Sequence, residues 1–140
     1  RGRGDLELQK QPISTVLNYD FVFVVPESKI KDAIKKLVKA GASEGYCIGD
    51  DKKFIGKFSL QGLLVAPQMA PLKAHLMTEP VLLNHDASIA QAMEVASHFV
   101  GETIPVINHE NGQIAGVVSE GDIFGAYLTT QSRVRDLEHN

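Results

Sequence analysis

A single cysteine, Cys47, and no tryptophan occur among the 140 residues, and aromatics make up only 6%. One thiol cannot close an internal disulfide, so the fold must rest on a buried core, and the composition fits a reducing, cytoplasmic setting. Long apolar runs are also missing. Phe21 to Pro26 and Gly62 to Pro67 fall far short of the ~20 residues that cross a bilayer. No strongly basic stripe with interleaved aromatics is present, which excludes nucleic acid as a partner. Gly-x-Ser-x-Gly, Walker and Gly-x-Gly-x-x-Gly motifs are lacking, and no nucleophile–base pair can be nominated, so no enzyme is expected. The histidines (His75, His85, His98, His109, His139) have no spacing that puts two on one helix face, so no metal site is expected. The chain opens on Arg1 without an h-region, as a piece cut from a longer protein would rather than a signal-bearing precursor.

Hydrophobic residues are plentiful at 44% and charged ones ordinary at 22%, enough to bury a core. The net charge of −3 is unevenly spread: residues 1–70 carry 11 Lys and Arg against 8 Asp and Glu, and residues 71–140 carry 3 against 9. Sliding the chain by 59 positions aligns Leu17 with Leu76, Val22 with Val81, Ile30 with Ile89, Ala33 with Ala92 and Ile48 with Ile107. One extra residue near Asn111-Gly112 then matches Gly56 with Gly116 and Ser59 with Ser119. The hydrophobic period changes at the same places in both copies, which marks an internal repeat.

Each copy starts with an apolar stretch read as a buried strand, Phe21 to Val25 and Val81 to Leu83. A helix follows, with Ile30, Ala33, Ile34, Leu37 and Val38 on one stripe and Ile89, Ala92, Met93 and Ala96 on the other. Ser28 and either Asp86 or Ser88 are the expected N-caps, and Gly41 and Gly101 the expected C′ glycines. Lys29, Lys31, Lys35, Lys36 and Lys39 crowd the first helix opposite its stripe, as a solvated face or a dock for acidic partners or headgroups would. Two strands joined by a tight turn come next: Tyr46 to Ile48 with Phe54 to Phe58, and Ile104 to Ile107 with Ile114 to Val118. A short helix capped by Ser59 or Ser119 closes each copy. The expected class is α/β (α+β), two β-α-β-β-α repeats related by pseudo-twofold symmetry. Residues 1–11 are a linker from an upstream region, 12–66 the first repeat, 67–71 a linker, 72–130 the second repeat and 131–140 a C-terminal tail. One such unit buries too little alone, so the copies should share a core.

The second copy resembles the cystathionine-β-synthase-type (CBS) domain, whose tandem pair is called a Bateman module. Leu76-Met77-Thr78-Glu79-Pro80-Val81, Asp86-Ala87-Ser88-Ile89, Ile104-Pro105-Val106-Ile107 and Gly116-Val117-Val118-Ser119-Glu120-Gly121-Asp122-Ile123 carry the likeness in order. The first copy is degenerate, with Gly62 where the aspartate would stand and Tyr46 in place of Pro105. Arg1 to Leu6 and Asp122 to Leu128 are also similar to sequence around such pairs in bacterial ClC-type chloride channels and transporters. That likeness implies the cytoplasmic part of an inner-membrane protein, attached to a transport domain.

Ser119 sits at a strand-to-helix junction, where free backbone N–H groups favour negative charge, and Asp122 is one turn on. An ionised carboxylate there accepts two hydroxyl hydrogen bonds, which suits a ribose diol. The same two residues would equally serve only to cap a helix. The CBS resemblance implies an adenosine group in the cleft between repeats, its base against Phe21 and Val22, with Thr103 and Ile104 completing the pocket. No cofactor is obligatory. Glu102 and Glu44 occupy positions where a basic group for phosphates is common, so adenosine or AMP is favoured over ADP or ATP. The resemblance further implies a non-catalytic regulatory module that forms homodimers through its helices. The alternative is a structural dimerisation module without a ligand.

Overall fold

The computed structural model describes residues 11–139, with side chains through Gln131. The Arg1–Leu6 similarity and most of the expected 1–11 linker lie outside the described residues. The strand-helix-strand-strand-helix order occurs twice. The first set is β1 (Phe23–Val24), α1 (Ile30–Ala40), β2 (Glu44–Ile48), β3 (Phe54–Ser59) and α2 (Leu60–Leu64). The second is β4 (Leu83–Asn84), α3 (Ile89–Ala96), β5 (Thr103–Ile107), β6 (Ile114–Ser119) and α4 (Glu120–His139). The two three-stranded sheets have the orders β1-β2-β3 and β4-β5-β6. In each the first pair is parallel and in matching register, Val24 opposite Cys47 and Leu83 opposite Val106. The mixed α+β class and the repeat therefore hold in three dimensions.

The chain forms two units, and neither is a continuous stretch. One contains β4–β6 and α3–α4 together with residues up to Asn18; the other contains residues 19–80 and the 109–114 turn. Within the first unit, a 3-10 turn at Ile13–Val16 places Ile13, fully buried, among Leu83, Ile89, Ile104, Val106, Val118 and Ile123. Within the other, a 3-10 turn at Leu72–His75 places Leu72, also fully buried, among Val24, Ile30, Leu37, Cys47, Phe58 and Leu63. Each copy's lead-in thus belongs to the other copy's core.

The hydrogen bonds repeat with the same offset. Ile13 N–H donates to Ala87 O at 2.6 Å and Leu72 N–H to Ser28 O at 2.7 Å. Ile89 N–H donates to Gln11 O and Ile30 N–H to Ala70 O, both at 2.9 Å. Farther along, Asn18 N–H donates to Val117 O and Met77 N–H to Lys57 O, both at 2.8 Å.

These bonds explain where local expectations fail. Ser28 does not cap α1: Lys29 occupies the cap position without a side-chain bond. The linker does that work instead, Ala70 O and Gln68 O accepting from Ile30 and Lys31 N–H at 2.9 and 3.0 Å. In α3 the expected Ser88 does cap, forming a reciprocal box with Gln91. Gly41 ends α1 as expected, at φ 65° in a Schellman motif with Gly41 N–H on Val38 O and Ala42 N–H on Leu37 O. Gly101 does not end α3; the helix stops at Ala96, where the Ser97 hydroxyl donates to Glu94 O at 2.7 Å. The first strands are shorter than expected and mostly not buried, because each lies at a sheet edge with one neighbour. Val24 and Leu83 are buried, whereas Phe23 is 56% and Val25 55% exposed. Finally, α4 is no short helix but runs 20 residues.

The paired glycines follow from the exchange. A Cβ on Gly116 would lie 3.1 Å from both Asn18 O and Leu17 Cβ, and one on Gly56 would lie 2.7 Å from Leu76 Cδ1. Asn18 is held by bonds to Val117 in both directions and cannot yield, whereas a leucine methyl can rotate. Gly116→Ala should therefore cost about 1–3 kcal/mol and Gly56→Ala less, read from denaturant midpoints.

Cys47 is fully buried in the β1–β3 core, as its alignment with Val106 implies. Burial, with a smaller contribution from Glu27, pushes its thiol up to about 11. The folded state keeps a proton that the unfolded chain releases above pH ~9, so this contribution is intact below that value and is lost as pH rises toward ~11. Cys47→Val should flatten that alkaline loss in pH-dependent melts, with little change at neutral pH.

Candidate functional site

The nominated residues divide between the units. Ser119, Asp122, Thr103 and Ile104 belong to the β4–β6 unit, and Phe21 and Val22 to the other. Ser119 and Asp122 are joined directly. The Ser119 hydroxyl accepts from Asp122 N–H at 3.1 Å, and Asp122 Oδ2 accepts from Ser119 N–H at 2.9 Å. This reciprocal box satisfies two donors at the start of α4. The box uses one carboxylate oxygen, Oδ2. In the first copy Ser59 accepts from Gly62 N–H at 3.0 Å, and the carboxylate is missing.

Thr103 opens β5, and by the repeat it and Ser119 match Glu44 and Ser59, which pair directly across β2 and β3. Ile104 is fully buried in the core, so only its backbone can meet a ligand. Val22 O accepts from Tyr46 N–H at 2.9 Å, and the Phe21 ring stands edge-on to Tyr46 at 5.5 Å. Phe21, Val22, Phe23 and Lys36 line a shallow groove of about 210 Å³.

Beside Asp122 lies an open depression of about 490 Å³, lined by Gln11, Val16, Leu17, Gly121, Asp122, Gly125, Ala126 and Thr129. That size suits a small molecule. Apart from Asp122, none of these was nominated as a site residue from the sequence. The signal was the helical spacing of Gly121, Gly125 and Thr129, small residues that keep one face of α4 low. Gln11, Val16 and Leu17 could not be found by spacing, because the segment exchange brings them there.

The charges also differ from the sequence reading. Glu44 is not a loose acid ahead of its strand: it is the first residue of β2 and holds Lys57 at 3.0 Å, both nearly buried. Glu102 is exposed just before β5. No Lys or Arg occurs between Lys73 and Arg133, so the described part of this unit has no fixed cation for a phosphate. Among the described residues no group of three His, Cys, Asp or Glu is placed to hold a metal ion, and no helix is long and apolar enough to cross a membrane.

Residues 73–129 match the CBS domain family. The second copy is similar to that family, and the chain has the fold of a CBS-domain pair. Among curated proteins none matches in sequence. Among solved structures the pair is similar to CbpB in complex with c-di-AMP, at TM-score 0.81 and 16% identity over 96% of this chain and 95% of that one. CBSX2 in complex with AMP matches at 0.73 and 16% over 86% and 98%. The cytosolic domain of the Mg2+ channel MgtE in complex with ATP matches at 0.73 and 17% over 85% of this chain and 50% of that one. CBS-domain pairs are regulatory, non-catalytic modules.

Because Ser119 and Asp122 cap α4 whether or not a ligand binds, Asp122→Ala should lower the stability of the ligand-free chain by about 1 kcal/mol. Asp122→Asn, which keeps an acceptor oxygen, should lose only a fraction of that. Equilibrium denaturation of both variants checks the difference.

Proposed function

We propose that this CBS-domain pair senses an adenosine-type ligand at the Ser119–Asp122 mouth and biases an attached domain between two states. The observation that carries this reading is the half-used carboxylate of Asp122. One oxygen is fixed by the helix cap, so the other is held rigidly at the rim of the 490 Å³ depression, ready to accept from a ribose hydroxyl. The three similar structures bind AMP, ATP and c-di-AMP, which supports the ligand class. Thr103 and the backbone of Ile104 complete this part of the site. With Glu102 close by and no fixed cation, adenosine and AMP bind better than ADP or ATP.

The attached domain is a membrane transport domain, of the ClC chloride type by the sequence similarity. The likeness to the cytosolic part of MgtE supports transport in general rather than that ion. Homodimerisation uses the helices, where Leu64 at the end of α2, Val65 just after it, and Phe124 and Leu128 on α4 are exposed apolar side chains. The competing reading, a dimerisation module without ligand, is favoured by the completeness of the Ser119–Asp122 cap.

A thermal-shift panel separates the two. At a hundred times its dissociation constant a ligand adds about 2.7 kcal/mol, several degrees for a chain of this size. Adenosine or AMP should raise Tm, Asp122→Ala should abolish the gain, and Glu102→Arg should strengthen the phosphorylated ligands selectively. If none of adenosine, AMP, ADP, ATP or c-di-AMP moves Tm, the dimerisation module takes its place, and sedimentation of the same samples then reads that function directly.

A further inference from the structure

We infer that the outer face of α1 docks on an anionic lipid surface. Lys31, Lys35 and Lys39 recur every four residues and so form one line along the helix, opposite the buried Ile30, Ala33 and Leu37. None of the three has an ion-pair partner among the described residues, and Asp32 is the helix's one acid. Apolar side chains flank the line. Val38 is 63% exposed on one side. On the other, Lys36 Nζ lies 3.2 Å from Phe23 O and 5.5 Å from the centre of the Phe23 ring, itself 56% exposed.

The fold does not require these lysines, because the chain contains its own control. The equivalent helix α3 packs the same apolar positions, yet it has Ala90, Glu94 and Val95 where α1 has Lys31, Lys35 and Lys36. Cations concentrated on one copy, unpaired and bordered by exposed phenylalanine and valine, fit an anionic bilayer. Flexible ammonium groups gain from a broad, fluid negative surface, while a ring at headgroup depth adds apolar burial. An acidic protein would need a shaped seat, and the groove between Phe21, Val22, Phe23 and Lys36, about 210 Å³, is too small for a helix or strand. The inference is independent of any ligand at Asp122.

The test is co-sedimentation of the chain with phosphatidylcholine vesicles, with and without phosphatidylserine, across a salt series. Binding should require phosphatidylserine and weaken as salt rises. Lys31→Gln/Lys35→Gln/Lys39→Gln should lower the partition coefficient about a hundredfold with only a small change in Tm, since Lys35 and Lys39 are exposed and Lys31 is half-buried. Phe23→Ser should lower it severalfold with the lysines intact. No vesicle binding at low salt, equal binding to phosphatidylcholine alone, or binding indifferent to the triple substitution would each overturn the inference. So would capture by poly-glutamate without capture by vesicles, which points to an acidic polypeptide.

Discussion

The reciprocal exchange of lead-in segments is the constraint on which the other features depend. Ile13 and Leu72 are equivalent residues, each fully buried in the core built mainly by the other copy. Burying a side chain of this size stabilises by about 1.5–3 kcal/mol, a large part of what a domain of this length has in reserve. Neither copy can therefore complete its core from its own sequence. The same segments cap α1 through backbone carbonyls, fix the close approach at Gly56 and Gly116, and build one wall of the depression beside Asp122.

A good part of this was legible in the sequence. Two copies with matching changes of hydrophobic period gave the element order, and Ile30, Ala33, Leu37, Ile89, Ala92 and Ala96 are buried as their stripes predict, whereas Val38, at the edge of the α1 stripe, is 63% exposed. Several of the aligned identities turn out to be two sides of one contact. Leu17 lies on Gly116 and Leu76 on Gly56, so a repeat noticed as resemblance was recording packing. What stayed hidden was non-local. Ser28 looks like a cap, but it stands one residue before the cap position, which Lys29 fills where the second copy has Ser88. Phe21 to Val25 reads as buried because composition cannot tell an edge strand from a central one.

The candidate site shows the same division. The Ser119-x-x-Asp122 spacing predicts both a cap and an acceptor, and the geometry allows both at once because a carboxylate has two oxygens. Thr103 could be placed by counting along the repeat. Glu44 could not be assigned a role by counting, since its partner Lys57 sits on the next strand and has Val117 as its counterpart in the second copy. An ion pair present in one copy alone leaves no periodic trace.

The backbone from Gln11 to Asn18 has two duties. It lines the depression next to Asp122, and Thr130 ties its first residue to α4 through a hydroxyl 2.8 Å from Gln11 Oε1. It is also a covalent tether, leaving one unit at Asn18 and entering the other at Tyr19. Whatever occupies the depression therefore rests on the same stretch of chain that carries the backbone out of this unit.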